Sequence, residues 1–249
     1  MSMNVPRLRL GLLLWLAGML GAVVMTVTML PQLFRTLPLP APLWVVSLAG
    51  LAQSSVLIAL AVWAGVALAG KVGLHAPAFE ALAARRPLAP GLGPQLLPGL
   101  IAGVLGGMLL FAVNRSAPAA LTQLLEHFTP PILARLLYGG FTEEILLRWG
   151  FMTVVIWLAW RLLQHRTGAP RTVYMWLGIV ISAVAFGAGH LPAASVLVGK
   201  LTAEVVTFVV VANSVFGVLF GYLFWRYGLE AAMVAHGFAH LVNYIAALL

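Results

Sequence analysis

The chain has 249 residues, 62% of them apolar and 8% charged, against about 45–50% and about 25% in a soluble globular domain, so its solvent is lipid and large soluble domains are excluded. The absence of cysteine rules out a disulfide framework, a thiolate metal site and a cysteine nucleophile. Fourteen Lys and Arg outnumber six acidic residues, all glutamate; no basic run is interleaved with aromatics, so nucleic acid is not an expected partner, and the excess records topology and contact with membrane lipid.

Crossing the hydrocarbon takes about 20 apolar residues per helix. The first run, Leu10 to Leu30, follows Arg7 and Arg9 and is expected to stop at Pro31. Its length, and the apolar segments beyond it, mark it as a retained helix and not a leader. The second span is Leu43 to Gly70, followed by an exposed loop, Lys71 to Gln95, rich in proline and glycine. The third span is Leu96 to Val113; Asn114 to Thr129 carries Leu121, Leu124 and Leu125 at helical spacing, as an amphipathic interfacial piece would. After Pro130 and Pro131 an apolar region interrupted by Gly139 and Gly140 leads through a short helix into the fourth span, Phe141 to Leu163. The fifth is Val173 to Leu191, the sixth Ala203 to Tyr227 and the seventh Leu229 to Leu249. The expected fold is therefore all-α, a polytopic membrane bundle of about seven transmembrane helices, with six to eight as bounds, around a polar intramembrane cavity.

If the N-terminus is cytoplasmic and seven spans alternate, nine basic residues fall inside (Arg7, Arg9, Lys71, Arg85, Arg86, Arg161, Arg166, Arg171 and Arg226) and four outside (Arg35, Arg115, Arg135 and Lys200), which favours that orientation in the cytoplasmic membrane. Arg148 lies within the fourth span and needs another explanation.

An ionisable group within a span costs on the order of 3 kcal/mol on insertion scales, yet such groups cluster here. Glu143 and Glu144 are adjacent, with Arg148 one turn on; His190 closes the fifth span after Phe186; His236, His240 and Asn243 form one polar stripe on the seventh. Glu144 and Arg148, four apart with the acid first, suit an intrahelical pair of structural character. Glu143 then projects toward a different surface and must find another polar group or a cavity. Gly187 and Gly189 allow another backbone to approach closely before His190. Glu204 and Glu230 are read as interfacial, His75, His127 and His165 as solvated loop residues, and Trp149, Trp160 and Trp225 as belt or packing residues.

Glu143-Glu144-x-x-x-Arg148, then Phe186-x-x-x-His190, then a histidine-bearing last helix, resemble the three signatures of the CAAX-processing and bacteriocin-processing intramembrane proteases, the CPBP or Abi family. On that resemblance residues 130–249 form the CPBP-like catalytic core and residues 1–129 the N-terminal helices and loops of one integral membrane domain. The resemblance implies an endopeptidase that removes the last three residues after a prenylated cysteine, so a peptide or prenylated protein substrate. It implies that Glu143 and His190 activate water and that His236 helps hold the oxyanion, with Glu144, Arg148 and Phe186 in support. Where the family has His-x-x-x-Asn, this chain has His240 four residues after His236 and Asn243 three later. A ring N–H donates as an amide does, so His240 is the favoured substitute and Asn243 is read as a supporting, interhelical residue.

No cofactor is favoured. The zinc alternative would use Glu143, His190, His236 and His240 as ligands, in line with the family's long description as metalloproteases. Against it, the pattern is not His-Glu-x-x-His, and the metal-free glutamate mechanism is preferred. Two further classes remain: a non-catalytic relative with a scaffold or bacteriocin-immunity role, and a proton- or cation-coupled transporter.

Overall fold

Inside a bilayer every backbone N–H and C=O must be satisfied within its own segment, so long apolar stretches become helices. The structure, a computed structural model, describes residues 6–36, 41–125 and 130–249; among these there is no strand. The helices are α1 (Arg7–Thr36), α2 (Leu43–Leu68), α3 (Pro77–Ala83), α4 (Ala89–Arg115), α5 (Ala119–Leu125), α6 (Ile132–Leu163), α7 (Thr172–Gly189), α8 (Leu191–Val198), α9 (Ala203–Tyr227) and α10 (Leu229–Ala246).

Several boundaries differ from the sequence expectation for identifiable reasons. Helix α1 passes through Pro31 and α4 through Pro94 and Pro98; neighbouring helices in a membrane offset the one backbone bond a proline removes. The expected loop Lys71–Gln95 contains α3 and the first turns of α4. The fourth span does not begin at Phe141 but at Ile132, because Gly139 and Gly140 interrupt the side chains and not the helix. The amphipathic piece is α5, whose Leu124 and Leu125 side chains, like His127, lie outside the described residues.

Six segments are long and apolar enough to cross a membrane: α1, α2, α4, α6, α7 continued into α8, and α9. Helix α10 falls short because Glu230, His236, His240 and Asn243 dilute its apolar residues. It is nevertheless the seventh member of the bundle, and it can be polar because it is wrapped by protein: Glu230, His236 and Asn243 are buried. What wraps it is a glycine stripe on α4. A Cβ at Gly99 would stand 3.0 Å from the Ala231 carbonyl and Val234, and Gly103 and Gly107 meet Phe238 and Val242 as closely. Small residues at this spacing let two helix backbones touch. On α7, Gly187 packs against the backbone of Val210 on α9 as expected, whereas Gly189 faces open space. The outward faces carry exposed Leu12, Leu16, Trp63, Leu97, Leu105 and Val180, the lipid-facing surface of such a bundle.

Glu230 is not interfacial. It is 5% exposed, and its Oε1 accepts the Ala78 and Phe79 backbone N–H groups at 2.8 Å each, capping α3 from another helix. Gln95 of α4 returns the service to α10 by accepting the Ala231 N–H at 3.1 Å. Removing an acceptor from buried donors costs about 1–3 kcal/mol, so Glu230→Ala should lower the thermal unfolding midpoint in detergent, with Glu230→Gln intermediate because it keeps one oxygen.

Beside this cap His75 Nδ1 stands 3.5 Å from Glu80 Oε1. Contact with Glu80 raises the His75 pKa above its ordinary value. Burial pushes the Glu80 carboxyl up, but contacts with His75 and the Ala76 N–H outweigh it and leave the pKa lowered. The histidine contribution is complete below about pH 6.5 and is lost as pH rises through the raised value; the glutamate contribution is complete above about pH 4.5 and is lost as pH falls through the lowered one. Protection of the α3 amides, taken relative to the intrinsic exchange rate at each pH, should therefore be greatest between about pH 4.5 and 6.5, and His75→Ala should flatten the alkaline side of that profile.

Candidate active site

The expected residues arrive on three helices. Glu143, Glu144 and Arg148 come from α6, which winds in wide π-type turns from Arg135–Glu143 and again from Ile145–Met152, a geometry common where function needs side chains re-aimed. Glu143 is the twelfth residue of this 32-residue helix, which sets it well inside the bundle. His190 caps the end of α7, and His236 and His240 lie mid-way along α10.

Glu144 is the hub. Its Oε2 lies 3.3 Å from Arg148 Nε, both side chains fully buried, and its Oε1 accepts from His236 Nδ1 at 2.8 Å. The sequence pair is thus a triad reaching across to another helix. The Arg148 guanidinium is sandwiched by rings, 4.6 Å over Phe186 and 5.6 Å over Phe220, and its Nη2 donates weakly to the Gly217 carbonyl at 3.4 Å. Phe186 also meets His190 edge-on at 4.8 Å, and Phe220 stacks on His236 at 4.5 Å. Phe220 has no signal in the sequence: it is one aromatic among many on an apolar helix, and only packing shows that it positions an imidazole.

Glu143 faces away from this hub, as its 100° offset from Glu144 requires. Its Oε1 is 3.9 Å from His190 Nε2 and its Oε2 3.7 Å from His236 Nε2. The ring tautomers follow from the opposite nitrogens. His190 Nδ1 lies 2.8 Å from the Phe186 carbonyl, which only accepts, so Nδ1 carries the proton. His236 Nδ1 likewise donates to Glu144. In their neutral forms both rings therefore turn bare Nε2 atoms toward the Glu143 carboxylate, at separations too long for a direct hydrogen bond and suited to an intervening donor. The side chains of Glu143 and His190 are 17% and 34% exposed, so this gap is reachable from outside.

His240 lies against His236, ring centroids 5.1 Å apart, and its Nδ1 is buried with no partner among the described residues. A Cβ on Gly139 would stand 3.0 Å from His236 Nε2 and 3.1 Å from His240 Nε2, so the glycine leaves a notch in front of both rings. Asn243 is elsewhere engaged: its Oδ1 accepts from Asn114 Nδ2 of α4 at 3.3 Å. The structure thus brings together Glu143, Glu144, Arg148, Phe186, His190, His236 and His240, and ties Asn243 to α4.

The zinc alternative would draw on the same side chains, whose ligand-atom separations at Glu143 are 3.7 and 3.9 Å, beside about 3.4 Å between neighbouring ligands of tetrahedral zinc. Among the described residues no group of three or more His or acidic side chains gathers tightly enough to hold a metal ion.

Residues 125–242 match the family model described as Rce1-like, type II CAAX prenyl endopeptidase. This segment resembles the Rce1-like family. The match spans just under half the chain and contains every residue of the Glu143 cluster. Neither a curated protein nor a solved structure matches. That likeness supports a peptidase working in a membrane, and the three-helix convergence lies wholly within the matched part.

Arg148→Ala would leave Glu144 as a buried charge without its cation, at a cost of about 3–5 kcal/mol. Thermal unfolding in detergent should show a large drop in midpoint, and adding Glu144→Gln should recover part of it.

Proposed function

We propose that this chain is an intramembrane endopeptidase that hydrolyses a peptide bond near the C-terminus of a lipidated or membrane-associated substrate, using water activated by Glu143 and His190. The observation that carries this reading is the Glu143 carboxylate standing between two bare imidazole Nε2 atoms from separate helices. A water in that gap donates one hydrogen to the Glu143 carboxylate and the other to His190, which leaves an oxygen lone pair free to attack the scissile carbonyl. Glu143 takes the first proton and later passes it to the leaving amine.

The oxyanion needs donors. His240 supplies one as a neutral ring: an orphaned buried N–H is rarer than an orphaned acceptor, so its proton belongs on Nε2, facing the Gly139 notch, and not on the unpartnered Nδ1. His236 donates from Nε2 only once that nitrogen has taken up the proton that water delivers to Glu143, 3.7 Å away, and it returns that proton through Glu143 to the leaving amine; the Glu144 carboxylate at Nδ1 stabilises the imidazolium while Arg148 balances Glu144. Each such donor is typically worth about 3 kcal/mol. This reading needs no metal. It also includes a cytoplasmic N-terminus in the cytoplasmic membrane, on the asymmetry of nine basic residues against four. With α6 starting at Ile132, Glu143 is the twelfth residue of the span, and on this reading a prenyl tail lies between helices while its peptide reaches the gap.

Purified protein should cleave a prenylated or amphipathic reporter peptide. Glu143→Ala and His190→Ala should each abolish cleavage while far-ultraviolet circular dichroism stays unchanged, and a chelator should leave the parental rate intact. Cleavage at the parental rate by both variants would overturn the assigned roles, and loss on chelation with recovery by zinc would overturn the metal-free chemistry. A scaffold, by contrast, would keep its biological effect with Glu143→Gln.

A further inference from the structure

Arg135 is a cation the mechanism above does not use. It lies on α6 eight residues before Glu143, with Gly139 half-way between them, in the stretch wound in wide turns. Residues four apart are neighbours on a helix surface, so Arg135, Gly139 and Glu143 lie along one face. Two observations place that face on the reactive side. Gly139 abuts the Nε2 atoms of His236 and His240, and the Arg135 charge acts on both His240 and Tyr244 of α10. The face therefore reads acid, open notch, cation, and the notch is floored by the two imidazoles.

The guanidinium is held in a way that leaves it able to bind. Its Nε donates to the Pro130 carbonyl at 2.8 Å, which fixes the side chain and leaves the two Nη ends as an end-on fork matching a carboxylate. Among the described residues Arg135 makes no ion pair. Arg148, the cation nearest to it along α6, is fully buried against Glu144 and cannot serve.

The spacing fits one class of ligand. Eight residues span about 12 Å at the α-helical rise of about 1.5 Å and less in wider turns, so Arg135 lies about 9–12 Å along the helix from Glu143, and both side chains lean toward the helix N-terminus. An extended peptide advances about 3.3 Å per residue, so a free carboxylate three residues beyond a scissile carbonyl at Glu143 lies about 10 Å from it, within reach of the Arg135 fork. We propose that Arg135 binds the C-terminal carboxylate of the substrate and so measures the cut three residues from the chain end. This rests on the peptidase reading and adds to it a specificity residue.

The test uses the full-length protein and two peptides identical except for a free or an amidated C-terminus. For the parent, kcat/KM should fall about tenfold or more on amidation, the worth of a charge-assisted hydrogen-bonded pair. In Arg135→Gln the ratio between the two peptides should collapse to about one, and Arg135→Lys, which keeps the charge but not the fork, should restore part of it. A parent that cuts both peptides equally, or an Arg135→Gln variant that keeps the full amidation penalty, overturns the proposal and leaves the peptidase reading standing. A parent that cuts neither peptide overturns both. A variant whose fold is damaged would lose rate on both peptides together and keep their ratio, which counts against the proposal.

Discussion

The interaction on which the site depends is the Glu144 carboxylate, shared between Arg148 on its own helix and His236 on α10. A buried carboxylate in a membrane protein is tolerable only when its charge is met at both oxygens. Here one oxygen meets a cation and the other a ring N–H. Meeting them locks three further choices: the rotamer of the residue next door, the tautomer of His236, and the distance between α6 and α10. The aromatic rings of Phe186 and Phe220 close over the same guanidinium, so the ion pair is walled from lipid by side chains that also touch the histidines. Structural and chemical groups here are consecutive links of one network.

The helices themselves are arranged so that polarity is hidden. Helix α10 is too polar to meet lipid, and it is central because glycine rows on α4 let that helix come against its backbone. Helix α6 serves the same end because residues four apart are neighbours on its surface, so that one face carries Glu144 and Arg148 while another carries Arg135, Gly139 and Glu143.

Much of this was legible before any coordinates. Ionisable residues in lipid are costly enough that their positions stand out, so Glu143, Glu144, Arg148, His190, His236 and His240 were visible as a set, and the four-residue spacing of Glu144 and Arg148 gave their pairing directly. Helix ends were less legible. Pro31, Pro94 and Gly139-Gly140 are breakers in water, and in a bundle their cost is offset by neighbours, so α1, α4 and α6 run longer than composition suggests. Contacts between helices were not legible. That Glu144 also serves His236, that Phe220 stacks on that ring, and that Glu230 caps α3 all depend on pairs on different helices, which no local period records.

The glycine row of α4 and helix α3 both lie outside the segment that carries the family signature. The chemistry-bearing helix is therefore sheathed by a part of the chain with no recognisable chemistry. Drift in that sheath is constrained by steric fit alone: any bulky replacement along Gly99, Gly103 and Gly107 pushes α4 outward and admits hydrocarbon to a helix bearing two histidines and an asparagine. Grafting the signature-bearing half onto a foreign set of leading helices therefore calls for transplanting that smooth flank with it.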